Sequence, residues 1–129
     1  MKYMLLIHAG REGWNGLSSW STEDVAGMVA FMRELDSGLR ASGELVDANG
    51  LSGPTGATTV RARPEGSPLV SDGLRPEAAD CLAGYWVVDV ASQERAIEIA
   101  AQISATPGPG GAPIRQQVEM HAIGEPPAV

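Results

Sequence analysis

The chain has one cysteine, Cys81. No intrachain disulfide can form, and the expected setting is a reducing one, the cytoplasm. Basic residues are also scarce: 9 Lys and Arg stand against 16 Asp and Glu, for a formal net charge of -7, and they form no cluster. Nucleic acid and anionic membrane surfaces both need a basic footprint, so neither is expected as a partner. The two histidines, His8 and His121, lie far apart and have no metal-ligand spacing with Cys81. The glycine runs GPTG and GPGG lack the strand–helix context and the lysine of a phosphate loop. No metal and no cofactor are therefore expected. No apolar run approaches the length of a membrane span. The opening MKYMLLIHAG has an apolar stretch only from Tyr3 to Ile7, too short for a signal peptide.

What is present suits a core. Hydrophobic residues make up 43% of 129 residues, which fits one domain over residues 1–124 and a loose tail over 125–129. KYMLLIH, at 2–8, predicts a strand that is apolar on both faces. A Gly-rich loop with two tryptophans, Trp14 and Trp20, follows. Ser21 is placed to cap a helix whose first turn carries Glu23 and Asp24. Val25, Met28, Val29, Met32, Leu35 and Leu39 recur at helical spacing, and Ser42-Gly43 ends the run. Strands are predicted at 44–51 and 57–63, the latter with a short return strand at 69–71 across the turn PEGSP. AGYWVVDV, at 83–90, is the strongest strand signal. Ser92 caps a second helix with Ala96, Ile97, Ala100 and Ile103 as its inner stripe, and IRQQVEMH, at 114–121, alternates as a last strand.

The order is β-α-β-β-β-α-β. Setting the small hairpin strand aside leaves βαββαβ, a ferredoxin-like split unit of the α+β class. Right-handed crossovers put both helices on one face of the sheet. Tyr85-Trp86-Val87-Val88 offers large apolar groups to both faces, and no third helix exists to cover the second. The expected partner is a second copy of the chain, sheet against sheet.

Several segments together resemble the YCII-related proteins of the DGPF type: MKYMLLIHAG, GATTVRAR, and LVSDG followed by LAGYWVVDV. The similarity runs from Met1 to about His121. Asp72, Gly73, Glu77, Gly84 and Tyr85 match the family's pattern, whereas Leu74 and Arg75 stand in place of Pro and Phe, Ala79 in place of Lys and Asp80 in place of Glu. The resemblance implies a dimeric α+β barrel from a bacterium. Its wider superfamily includes cofactor-free enzymes such as lactone isomerases and dehydrochlorinases of chlorinated hydroquinones. Some relatives use a His–Asp pair with the histidine near the start of the first helix. Here that helix opens Ser21-Thr22-Glu23-Asp24-Val25 and holds no histidine, so that pair does not carry over.

The topology makes the first strand an antiparallel neighbour of the strong strand. His8 then shares a sheet end with the loop holding Asp72 and Glu77. These three are the expected catalytic groups of an acid–base site, because a partly buried pocket can push the pKa values of such groups apart. Trp14 and Trp20 are candidate apolar walls, Arg11 a candidate anion holder, and Gly73 the turn that aims Asp72 inward. The competing reading makes Asp72 a turn cap, since Asp-Gly is a turn dipeptide. The functional expectation is a pocket for a small aromatic or lactone-like molecule, with proton-transfer chemistry as isomerase or lyase. A non-catalytic ligand-binding or regulatory module of the same fold is the alternative.

Overall fold

The computed structural model describes residues 1–10 and 19–128. Six strands and two helices follow in the order β1 (Lys2–Gly10), α1 (Thr22–Ala41), β2 (Leu45–Gly50), β3 (Thr58–Arg61), β4 (Leu69–Asp72), β5 (Asp80–Asp89), α2 (Gln93–Ser104) and β6 (Val118–Ala122). β2, β5, β1 and β6, in that order, form one antiparallel sheet, while β3 and β4 form a separate two-stranded sheet. The α+β, ferredoxin-like expectation holds. The two hairpin strands pair with each other and form a sheet of their own.

The helix boundaries follow local chemistry. The Ser21 hydroxyl accepts from the Asp24 N–H at 3.0 Å, and Ser92 does the same for Arg95 at 3.2 Å, each satisfying a donor the helix itself cannot. Both helices pack on one face of the sheet. Tyr3, Leu5 and Ile7 of β1 and Trp86 and Val88 of β5 bury against Leu39 of α1 and Ala96, Ile99 and Ile103 of α2. Leu5, Ile99, Ile103 and Val88 are the largest wholly enclosed side chains, each contributing about 1.5–3 kcal/mol through burial.

Three sequence expectations shift. The α2 stripe is Ala96, Ile99, Ala100 and Ile103; Ile97 is 51% exposed, because the helix phase that seats Ala96 and Ala100 turns it outward. β6 begins at Val118, four residues later than the alternation suggested. The backbone N–H groups of Ile114 and Arg115 donate instead to Thr106 and Ser104 at the end of α2, and Arg115 adopts a φ of 59° there. β5 begins at Asp80, three residues early, with consequences for the site. Among the described residues no helix is long and apolar enough to cross a membrane.

Candidate functional site

The early part of β5 pairs with β1 through a β-bulge. From Lys2↔Asp89 through Ile7↔Gly84, β1 and β5 pair in regular register; then His8 pairs with Leu82, skipping Ala83. In a strand, alternate residues share a face, so a one-residue slip exchanges the faces of everything beyond it. Without the bulge, Gly10 would oppose Cys81. With it, Gly10 opposes Asp80, and Asp80 comes to the face of His8. Cys81 moves to the helix side and is buried, 4% exposed.

On the face away from the helices, His8 Nδ1 lies 3.5 Å from Asp80 Oδ1, an ion-pair distance that is long for a hydrogen bond. Both ring nitrogens are shut off from solvent and accept or donate no hydrogen bond among the described residues, although the side chain is 34% exposed. The wet part of the ring is therefore its carbon edge. On the adjacent β6, Glu119 and His121 bond to each other across one residue. That hydrogen bond, with smaller electrostatic help from His121 and His8, holds the Glu119 carboxyl below its ordinary range. His8, Asp80, Gln117 and Glu119 line an open recess of about 650 Å³. Farther along the same face, the Tyr85 hydroxyl donates to Asp47 at 2.8 Å and accepts from Asn49 at 2.9 Å.

On the helix side of the same sheet end lies a second hollow, about 450 Å³, walled by Ile7, Trp20, Met28, Met32, Trp86 and Ile114 among others. Met28, Met32 and Asp36 sit four residues apart on α1, so they stack along one stripe of the helix. Asp36 Oδ1 accepts from the indole N–H of Trp86 at 3.0 Å and is the only ionisable group among the described residues lining this cavity. β2 comes close to β5 here: a Cβ on Gly84 would meet the Asn49 carbonyl oxygen at 3.1 Å, which explains a glycine in the middle of the strongest strand.

The YCII-related domain family matches residues 1–116. This chain belongs to the YCII-related family. No curated protein matches the sequence.

Within this YCII-related fold, the residues singled out from sequence separate into groups. Trp20 lines the cavity between α1 and the sheet. His8 faces the opposite side of the sheet, and the expected pairing with Asp72 is replaced by Asp80, which the bulge delivers to it. Asp72 is exposed at the end of β4, opposite Thr58 in the hairpin. Gly73, with a φ of 89°, follows β4 and closes the open end of the hairpin: its N–H donates to the Ala57 carbonyl and its own carbonyl accepts from the Thr59 hydroxyl. Glu77 is exposed, 3.5 Å from Arg75. Arg11 and Trp14 lie outside the described residues. Among the described residues no group of three or more His, Cys, Asp or Glu is arranged to hold a metal ion.

Sequence reading missed Asp80 and Asp36. A glycine inside a strand pattern is a known mark of a bulge or close approach, and Gly84 was that mark for Asp80. For Asp36 the signal was an acid four residues after Met32, inside an otherwise apolar stripe.

Proposed function

We propose that this YCII-related chain binds a small organic molecule in the cavity between α1 and the sheet. The observation that carries the reading is the cavity's make-up: about 450 Å³, apolar walls that include two tryptophans and two methionines, and one carboxylate. Ligand sites are typically of ~300–1,000 Å³, mostly apolar, with few polar groups. The cavity holds no pair of titratable groups among its described lining, which favours binding over turnover within it. The test is a fragment screen read by the indole N–H signal of Trp86, repeated on Ala48→Leu, which adds bulk to the wall. Hits that shift Trp86 in the wild type and weaken in the variant support the reading. An absence of hits, or hits indifferent to Ala48→Leu, refutes it.

A second reading, acid–base turnover, draws on His8 beside Asp80 in the recess on the other face, and it requires a ring nitrogen of His8, closed to solvent here, to be uncovered when a substrate binds. It replaces Asp72 and Glu77 as partners of His8, since both are exposed and bond elsewhere or not at all to His8. It belongs with a further part of the proposal, a homodimer in a cytoplasmic setting. Met4, Leu6 and Val87 form a half-buried apolar strip on the uncovered face, rimmed by Lys2 and the two histidines, His8 and His121, and by the acids Asp47, Asp80 and Glu119. An apolar strip with hydrogen-bonding donors and acceptors at its rim complements itself when a two-fold axis brings it against its own copy. A second sheet laid there encloses the His8 recess. Light scattering at micromolar concentration is expected to report a dimer, and a monomer refutes this part.

A further inference from the structure

The charge of the cavity narrows the chemistry of what it takes. Asp36 is half-buried in an apolar wall, and a carboxylate in such a place is costly unless charge or hydrogen bonds offset the lost water. One of its oxygens accepts from Trp86. The other accepts no hydrogen bond among the described residues, and Asp36 forms no ion pair there, even though Arg33 and Arg40 lie three and four residues away on the same helix. That second oxygen is not among the polar atoms cut off from solvent, and Asp36 lines the cavity, so it is the acceptor left for a molecule bound there. An indole N–H needs only a neutral acceptor, and an amide or carbonyl would serve it. The negative charge is thus in excess of what Trp86 requires.

The rest of the lining agrees in sign. No Lys, Arg or His lines the cavity among the described residues, so a carboxylate or phosphate ligand would meet only a like charge. Trp20 and Trp86 add aromatic surface for an apolar body, and Met28 and Met32 add soft, adaptable apolar walls.

We propose that the cavity selects an amine-bearing ligand with an apolar or aromatic body, its ammonium group held by Asp36 beside Trp86. The proposal rests on the reading of this cavity as a binding site and names the class of molecule bound there.

Three probes share one body and differ in the polar group: phenethylamine, phenethyl alcohol and phenylacetate. Each is titrated into the wild-type protein, with the Trp86 indole N–H signal and calorimetry as readouts. The amine is expected to bind about tenfold more tightly than the alcohol, the scale of a hydrogen bond to a charged group, and the acid most weakly. In Asp36→Asn the amide oxygen still accepts from Trp86, so the fold is retained. The amine's advantage should disappear while the alcohol's affinity stays. If the alcohol or the acid binds the wild type as well as the amine does, this inference is overturned and the cavity reading survives. If none of the three moves Trp86, both fall. The wild-type comparison decides the matter even if the variant unfolds.

Discussion

Glu44, the residue ahead of β2, should be worth more to this fold than an ordinary surface acid, and the gain should depend on pH in one direction. Its two carboxylate oxygens take the Nε and Nη2 hydrogens of Arg95 on α2, at 2.8 and 2.9 Å, and Ser42 donates to it as well. The Arg95 hydrogen bonds, with Ser42 adding to them, lower the Glu44 pKa from 4.5 to about 2, and the same contact raises that of Arg95. Taken at face value, the depression corresponds to about 3 kcal/mol, at ~1.4 kcal/mol per pKa unit. The Glu44 side chain is 17% exposed and that of Arg95 34%, so water screens the pair, and fully exposed pairs measure only ~0–1 kcal/mol. A realistic contribution is about 1–2 kcal/mol. Because the folded pKa lies below the unfolded one, that contribution is complete above the unfolded value near 4.5 and disappears as pH falls toward 2. Glu44→Gln imitates the protonated acid. It should cost about 1–2 kcal/mol at pH 7, roughly 3–10 °C in melting temperature for a chain of this size, with the gap narrowing through the acid range. Urea unfolding followed by tryptophan fluorescence at several pH values measures this. A gap that is absent at neutral pH, or that persists unchanged at pH 3, refutes the argument.

Leu5→Ala opens a hole at a wholly buried position of β1 and should cost about 2–5 kcal/mol, read from the urea midpoint. His121→Ala removes the hydrogen bond that lowers the Glu119 carboxyl, so the Glu119 side-chain carbon signal should titrate at a higher pH, nearer the ordinary carboxylate range; an unmoved titration would remove His121 as the cause.

Much of the architecture was legible along the chain because local chemistry fixed it. The Ser21 and Ser92 caps, the helical stripe from Val25 to Leu39 and the alternating apolar strands carry their own signals, and the sheet order follows from right-handed crossovers. What escaped reading depends on contacts between segments. Residues 80–82 read as loop because an acid and a cysteine sit there; they join the sheet only because β1 is there to pair with them. The bulge at Ala83 exists only in the pairing of two strands, so the identity of His8's partner was hidden, and Asp72 was named in place of Asp80. Ile97 and Ile99 are equally apolar, and only the contact between α2 and the sheet sets which one turns inward. The alternation at 114–117 was real, but two backbone bonds to the end of α2 claim that segment first.

The two ends of the sheet are built differently. At the end where β1 starts and β5 finishes, the Met1 amine bonds to Asp89 and to the Val90 carbonyl, both at 3.0 Å. There the Val90 N–H returns a bond to Met1, the Asp89 N–H donates to Glu44, and Glu44 is itself clamped by Arg95. At the other end, polar groups are left with capacity to spare among the described residues: two ring nitrogens of His8 without hydrogen bonds, Asp80 at ion-pair distance from one of them, and an Asp36 oxygen that accepts no hydrogen bond. Unused hydrogen-bonding capacity lowers stability, so its concentration at one end is a cost the first end offsets. The same bulge that brings Asp80 to His8 leaves Ala83 and Gly84 lining the cavity on the opposite face. One irregularity thus shapes both hollows, one on each side of the sheet, where a ligand on either face would be felt by the same two strands.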